Sequence, residues 1–193
     1  AEFANARSQI YIFKALSTIL ILLIALTAAA PRGAFYQYAI VVGLVFSLAG
    51  DILLVLPSDR FIPGLVSFLF AQIAYIVAFV PGTQWLSTFW SPLPFVVYAV
   101  VLLSVLLPHT GKMRAPVLMY GVVIVTMAWR AGERWLQLPG SSTLFAFVGA
   151  ALFVLSDSSL AVNRFVTKYR GERLITLGLY YAAQWLIALS VSN

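Results

Sequence analysis

Residues 34–56 read AFYQYAIVVGLVFSLAGDILLVL, and the single charged side chain among them is Asp51. A run of about 20 mostly apolar residues is what an α-helix needs to cross the hydrocarbon core of a bilayer. The run lacks the strict alternation of apolar and polar residues that is typical of a membrane β-barrel strand. The stretch therefore predicts a transmembrane helix with a carboxyl group inside the membrane.

The composition of the whole chain agrees with this prediction. Of the 193 residues, 62% are hydrophobic and 9% are charged, whereas soluble domains carry about 25% charged residues. These values exclude a cytosolic enzyme, a disordered tail and a disulfide-stapled secreted module. The net charge of +6 indicates basic loops on one membrane face, and we expect no nucleic-acid partner. Because the chain has no cysteine, it has no disulfides, thiolate metal sites or cysteine nucleophiles.

Seven segments approach the length of a transmembrane helix, and Pro or Gly residues separate most of them. The pattern predicts an all-α fold, a polytopic membrane helix bundle with about seven transmembrane helices. The length predicts a single transmembrane helical domain over residues 1–193. The spans are predicted at roughly 9–30, 34–56, 62–81, 92–107, 115–138, 143–162 and 172–192.

Lys and Arg residues are distributed unequally between the two sides that seven spans would define. Because cytoplasmic loops collect Lys and Arg, the richer side is predicted to be cytoplasmic and the C-terminus to lie outside. We expect an integral membrane protein of a bacterial inner membrane, with the lipid bilayer as its surroundings; nothing in the sequence indicates an oligomeric state. The richer side has Arg7, Lys14, Arg60, Lys112, Arg114, Arg164, Lys168, Arg170 and Arg173, and the other side has Arg32, Arg130 and Arg134.

Two of the six acidic residues, Asp51 and Asp157, fall well inside predicted spans without a charged neighbour in the sequence. An Asp at the centre of a membrane helix costs about 2.5–3.5 kcal/mol, and such residues mark functional paths. Both lie five residues before the predicted cytoplasmic end of their span, about 7–8 Å deep, and Lys14 lies five residues into the first span. The sequence therefore predicts that two carboxyl groups and one ammonium group share one depth.

Both structural and functional interpretations of this cluster remain open. In the structural one, Lys14 pairs with one Asp and joins two helices. In the functional one, desolvation and repulsion keep one carboxyl neutral while the cation keeps the other ionised. One acid and one base at neutral pH are what general acid–base hydrolysis requires. The same cluster would also serve as the relay of a small proton-coupled transporter, and a non-catalytic lipid-binding seven-helix protein is a third possibility.

Other polar residues inside the spans support weaker predictions. Gln72 and Gln184 lie near the middle of spans three and seven, with Tyr75 and Tyr180 nearby, and hydrogen bonds between helices are their simplest role. Glu133 stands between Arg130 and Arg134, which indicates an ion-pair cluster near the outer interface. The single histidine, His109, lies in a loop. A histidine-based zinc site and a Ser–His dyad are therefore excluded, and we expect neither a metal nor a cofactor.

Five motifs follow one another along the chain: IFKALST at 12–18, GLVFSLAGDILL at 43–54, FLFAQIAY at 68–75, GAALFVLSD at 149–157 and YYAAQ at 180–184. Together they resemble the YhhN family of lysoplasmalogenases. The resemblance runs from about residue 12 to 187 in the order of the family, and its Gly-Asp and Ser-Asp blocks are the most specific part. It implies an integral-membrane hydrolase that cleaves the vinyl ether bond of lysoplasmalogens, releasing a fatty aldehyde and a glycerophospho-ethanolamine or -choline. It also implies that Asp51 and Asp157 are catalytic.

The two lines of reasoning give one hypothetical mechanism for a lysophospholipid substrate. The lipid enters from the cytoplasmic leaflet, one Asp protonates the vinyl ether, and the other stabilises the cation and activates water. The phosphate would lie near basic groups of that face. The predicted substrate-binding residues are Lys14, Arg60, Gln72, Asn163, Arg164, Tyr180 and Gln184.

Overall fold

The chain folds into a bundle of α-helices. The computed structural model describes residues 16–29, 33–56, 60–85 and 89–192, and within these ranges it contains helices and no strand. Short 3₁₀ turns at Leu107–His109 and Gly111–Met113 join the fourth and fifth helices. The helices are α1 (Leu16–Thr27), α2 (Ala34–Val55), α3 (Phe61–Phe79), α4 (Leu93–Leu106), α5 (Arg114–Gln137), α6 (Ser141–Phe165) and α7 (Glu172–Leu189).

The helices have the length and composition of membrane helices. Among the described residues, four stretches are long and apolar enough to cross a bilayer: Ala34–Leu54, Phe61–Phe79, Gly111–Gln137 and Ser141–Phe165. Two shorter apolar helices, Leu16–Thr27 and Leu93–His109, accompany them. Large apolar side chains cover the outside of the bundle, as they do where lipid replaces water. The predicted all-α membrane helix bundle is confirmed.

Two pairs of neighbouring helices, α2 with α3 and α6 with α7, form the best-packed parts of the bundle. Glycines allow both close approaches. A Cβ at Gly43 on α2 would overlap the Tyr75 ring of α3, and a Cβ at Gly149 on α6 would lie 2.8 Å from the Ala183 carbonyl oxygen of α7. Small residues at such positions let membrane helices approach closely, and dispersion contacts then hold the pair together.

The helix pairs meet at an aromatic cluster in the middle of the bundle. The Phe153 ring on α6 lies 5.5 Å from Tyr180, edge to face, and Phe68 on α3 lies 5.9 Å from Tyr180. Tyr75 lies 6.4 Å from Phe153. Edge-to-face pairs of this kind add about 0.5–1.5 kcal/mol beyond their burial. The cluster fixes the rotation of α3, α6 and α7 and so determines which polar side chains face one another.

The predicted outer end of the bundle contains a buried charged cluster. Arg130 is completely buried and Glu133 is 1% exposed, because the segment between α3 and α4 folds over them. The Arg130 guanidinium donates to the carbonyls of Gln84 at 3.1 Å and Trp85 at 3.2 Å, and stacks 4.7 Å from the Trp85 ring. Glu133 accepts from Gln137 at 2.8 Å. The cluster thereby attaches the α3–α4 connection to α5.

The helices α1 and α4 differ in how many of their residues are buried against the rest of the bundle. On α1, Thr18, Ile21 and Ala25 are buried, one turn apart along a single face. On α4, the buried residue is Leu106, at the end of the helix. We conclude that α1 is packed along its length, whereas α4 lies loosely against α5 and α6.

Candidate active site

Asp51 lies in the core of the bundle and accepts hydrogen bonds from two other helices. Its side chain is 4% exposed. The hydroxyl groups of Thr18 on α1 and Tyr180 on α7 both donate to Asp51 Oδ2 at 2.8 Å. Asp51 comes four residues before the end of α2 at Val55, about 6 Å along the helix axis. A buried carboxyl group with oriented hydroxyl donors is a typical element of an active site.

Asp157 lies on α6 and is less enclosed than Asp51. Tyr120 on α5 donates a short hydrogen bond to Asp157 Oδ2, and the Asp157 side chain is half-buried. Phe153, one turn before Asp157 on α6, packs edge to face against Tyr180, which donates to Asp51. Because α6 continues to Phe165, past the predicted end at 162, Asp157 lies about 12 Å from the end of its helix rather than about 7–8 Å.

Two glutamines adjoin the tyrosines that hold the carboxyl groups. Gln72 on α3 lies beside the Tyr120 hydroxyl, and Gln184 on α7 lies beside Tyr180. Gln184 Oε1 accepts a 2.7 Å hydrogen bond from the Tyr75 hydroxyl. Both glutamines are completely buried, yet both amide atoms of Gln72 and the Nε2 of Gln184 make no hydrogen bond. Buried polar atoms without partners are rare in native proteins, and they concentrate here next to the carboxyl groups.

The other predicted substrate-binding residues lie nearer the predicted cytoplasmic end. Arg164 follows Asp157 by seven residues, two turns on the same face of α6, and its guanidinium stacks 3.8 Å from the Phe61 ring. Arg60 directly precedes α3 and is exposed. Asn163 Oδ1 accepts from the Tyr169 backbone N–H at 3.3 Å and so supports the α6–α7 connection. Lys14 lies outside the described residues.

The structure adds two residues to the site, Thr18 and Tyr120. Thr18 belongs to the IFKALST motif, and the sequence shows it only as a polar residue in an apolar span; its burial comes from the structure. Tyr120 stands alone in an apolar run, and a hydroxyl in such a run needs a partner on another helix. Neither partner is visible in the sequence, since it depends on how α1 and α5 are rotated.

The described residues contain no metal-binding arrangement. Within residues 16–29, 33–56, 60–85 and 89–192, no three His, Cys, Asp or Glu side chains form a group that could hold a metal ion. The chemistry that the site's own side chains offer is proton transfer between carboxyl groups and hydroxyl groups in an apolar environment.

Comparison with known proteins places the chain in a family. The sequence matches the YhhN family over residues 9–191. The chain belongs to the YhhN family. It is 31% identical over 193 residues to a protein of Escherichia coli O157:H7 that is named an uncharacterized membrane protein YhhN, covering 99% of this chain and 91% of that one.

Mammalian relatives carry a more specific name. The chain is 37% identical over 177 residues to the lysoplasmalogenase TMEM86B of Rattus norvegicus, covering 89% of this chain and 69% of the rat protein. It is 36% identical over 166 residues to the human protein of the same name, covering 83% and 66%. No solved structure matches the chain significantly. The predicted resemblance to the YhhN family is therefore confirmed over nearly the whole chain.

Proposed function

We propose that this YhhN-family protein is a membrane lysoplasmalogenase that uses Asp51 and Asp157 as a general acid–base pair. The observation that carries the proposal is that each of two carboxyl groups within the bundle accepts a hydrogen bond from a tyrosine of another helix, Asp51 from Tyr180 of α7 and Asp157 from Tyr120 of α5. The names of the rat and human relatives support the substrate class. Hydrolysis of a vinyl ether needs an acid and a base and no cofactor, which is the chemistry that these side chains offer.

The reaction would proceed in three balanced steps. One Asp, in its protonated form, gives its proton to the β-carbon of the vinyl ether, and the α-carbon becomes an oxocarbenium ion. The ionised Asp stabilises this cation and takes a proton from the attacking water, so that a hemiacetal forms. The bond between the former vinyl carbon and the glycerol oxygen then breaks with proton transfer to that oxygen. The products are a fatty aldehyde and a glycerophospho-ethanolamine or -choline.

The hydroxyl donors would orient the carboxyl groups during these steps. Tyr180 and Thr18 both donate to Asp51 Oδ2 and so would orient that carboxyl group. Tyr120 directs Asp157 in the same way. Placing reacting groups in an attack geometry is worth up to about 7–11 kcal/mol of the barrier. Rigid donors on α1, α5 and α7 supply this placement.

The substrate would lie with its phosphate toward the predicted cytoplasmic face. Arg164 is about 10.5 Å from Asp157 along the helix axis. Six covalent bonds separate the phosphorus of a lysoplasmalogen from its vinyl α-carbon, so a phosphate near Arg164 brings the ether bond to the carboxyl groups. Arg60 and Lys14 would add positive charge at the same face, and the alkenyl chain would extend among the apolar side chains of the bundle.

The decisive experiment uses purified protein in bilayer nanodiscs and measures aldehyde release from a lysoplasmalogen. An ester lysophospholipid of equal chain length is the control for the bond cleaved. Asp51→Asn and Asp157→Asn should each reduce turnover at least about 100-fold, since general acid–base catalysis contributes 10²–10⁴-fold. Folded protein is verified by its melting temperature. Turnover close to wild type in both variants would refute the acid–base pair, and no aldehyde from the wild type would refute the activity.

A further inference from the structure

The two carboxyl groups differ in what separates them from the surrounding lipid. Asp51 lies beneath α1, whose buried Thr18 is hydrogen-bonded to it. Asp157 is half-buried, and the residues that follow it on α6, from Ser158 to Asn163, are half-buried as well. The side of the bundle toward Asp157 is therefore the less enclosed side. A substrate that resides in the bilayer has its shortest route to a carboxyl group there.

The element beside this side is α4, which reaches the core through few side chains: Phe95 packs edge to face against Phe147 of α6, and Tyr98 and Ala99 are partly buried. Leu106 is its buried residue, whereas Val96, Val97, Val100 and Val101 are each more than half exposed. The helix has 14 residues, which is short for a membrane helix. Few packed side chains make an element easy to displace, since displacement then exposes little additional surface.

A hydrogen bond between side chains joins the middle of α4 to α6 beside Asp157. The Tyr98 hydroxyl lies 2.7 Å from Ser158 Oγ, and Ser158 directly follows Asp157. Ser158 Oγ also donates to the Val154 carbonyl at 2.7 Å, so the Tyr98 hydroxyl is the donor of the shared bond. A bond between neutral groups of this kind contributes about 0.6 kcal/mol between membrane helices, with a maximum of about 1.7. Thermal motion breaks such a bond readily.

The polar end of this side carries positive charge. The α4–α5 connection holds Lys112, and Arg114 begins α5; both side chains are exposed at the predicted cytoplasmic end. Basic residues at that position attract the phosphate of a lipid in the cytoplasmic leaflet. An anionic group at Lys112 and a hydrocarbon chain along α4 correspond to the two parts of a lysophospholipid.

We propose that α4 and α6 form a lateral portal through which a single-chain phospholipid passes from the bilayer to Asp157. The portal opens when the Tyr98–Ser158 hydrogen bond breaks and α4 moves away from α6. This proposal rests on the proposed function for the identity of the lipid. It adds the route of entry and assigns Tyr98 and Ser158 as the contact that must open.

The absence of cysteine from the sequence allows a clean cross-linking experiment. The double variant Tyr98→Cys, Ser158→Cys is joined with a bis-methanethiosulfonate reagent, whose spacer covers a gap too long for a direct disulfide. Aldehyde release is compared in the same protein before cross-linking, after it, and after reduction. We expect a loss of at least tenfold on cross-linking and full recovery on reduction. A monofunctional thiosulfonate should leave most of the turnover intact.

A matched cross-link joins two helices that should stay together. Phe46 on α2 and Phe70 on α3 both face lipid, and their rings lie 5.4 Å apart. Joining Phe46→Cys to Phe70→Cys should leave turnover unchanged. Unchanged turnover in the α4–α6 cross-link, or an equal loss in both cross-links, would overturn the portal.

A binding measurement keeps the portal testable apart from the activity. In the single variant Ser158→Cys, a small apolar thiol reagent labels the new thiol, and 1-O-hexadecyl lysophosphocholine, which has no vinyl ether, is added as competitor. The portal predicts that labelling slows at least fivefold, while a two-chain phosphatidylcholine has no effect. Unchanged labelling overturns the portal even if lysoplasmalogen is cleaved. Slowed labelling in a protein that cleaves no lysoplasmalogen supports the portal and refutes the enzyme.

Discussion

Replacing Gln72 by methionine should raise the stability of the protein and lower its enzymatic activity. Gln72 is completely buried, and neither of its amide atoms has a hydrogen-bond partner. Methionine has nearly the same length and no strong hydrogen-bonding group. An unsatisfied buried polar group costs about 1–3 kcal/mol. Removing two of them should therefore raise the free energy of unfolding by about 2 kcal/mol.

The expected change in the free energy of unfolding is large enough to measure as a shift of the melting temperature. For a chain of about this length, 1 kcal/mol corresponds to roughly 2–4 °C, so the melting temperature of Gln72→Met should rise by about 4–8 °C. The assay is thermal unfolding in detergent, followed by tryptophan fluorescence from the five tryptophans of the chain. Aldehyde release by the Gln72→Met variant should fall, because a substrate that forms a hydrogen bond with the Gln72 amide cannot form it with methionine.

Gln184 provides the matched comparison. Its Oε1 accepts a 2.7 Å hydrogen bond from Tyr75, and its Nε2 alone is without a partner. Gln184→Met removes one unsatisfied atom but leaves the Tyr75 hydroxyl without this acceptor, so its melting temperature should stay within a few degrees of wild type or fall. If Gln72→Met melts no higher than Gln184→Met, the argument that the free amide costs stability is refuted.

Three further predictions concern other parts of the bundle. Gly149→Ala should reduce the free energy of unfolding by about 1–3 kcal/mol and so lower the melting temperature, because the new Cβ would lie 2.8 Å from both Ala183 O and Ile187 Cγ1. The control Gly178→Ala has open space around its Cβ, and its melting temperature should equal or exceed that of the wild type. Arg130→Lys should also lower the melting temperature, because the single nitrogen of lysine cannot replace both Nη1, which donates to the carbonyls of Gln84 and Trp85, and Nη2, which donates to Thr83 Oγ1. Aldehyde release per folded molecule should stay within about twofold. Tyr180→Phe removes one hydrogen-bond donor to Asp51 and should reduce kcat about 10- to 100-fold at unchanged KM. The control is Tyr38→Phe at the exposed surface, which should leave kcat and KM unchanged.

The sequence predicts the helices well because membrane helices depend on length and hydropathy, both of which are local properties. The predicted span 34–56 corresponds to Ala34–Val55, and 115–138 corresponds to Arg114–Gln137. The end of α6 is harder to place, since polar residues near 163 resemble a loop but continue the helix to Phe165. The first predicted span, 9–30, begins outside the described residues.

The partners within the site are not predictable in the same way. Two Asp residues in apolar runs stand out in the sequence because each is expensive in a membrane. That Thr18 meets Asp51, and that Tyr120 meets Asp157, depends on the rotation of helices far apart in the chain. Packing around Phe68, Phe153 and Tyr180 sets this rotation. Sequence reasoning therefore identifies the acidic residues, whereas the donors that orient them need three-dimensional contacts.

The buried charges of α5 have a consequence for how the protein is made. An arginine entering the bilayer on an isolated helix costs about 2.5–3.5 kcal/mol, and α5 carries Arg130, Arg134 and Glu133 in its second half. The carbonyl groups that accept from the two arginines belong to Pro81, Gln84 and Trp85, which the ribosome synthesises before α5. When α5 reaches the translocon, the carbonyl groups that accept hydrogen bonds from its arginines have already been synthesised. Because α3 and the residues after it precede α5 in the sequence, α5 inserts into the membrane when its hydrogen-bond acceptors are already there. A circular permutation that places α5 before α3 would remove these acceptors at the moment of insertion.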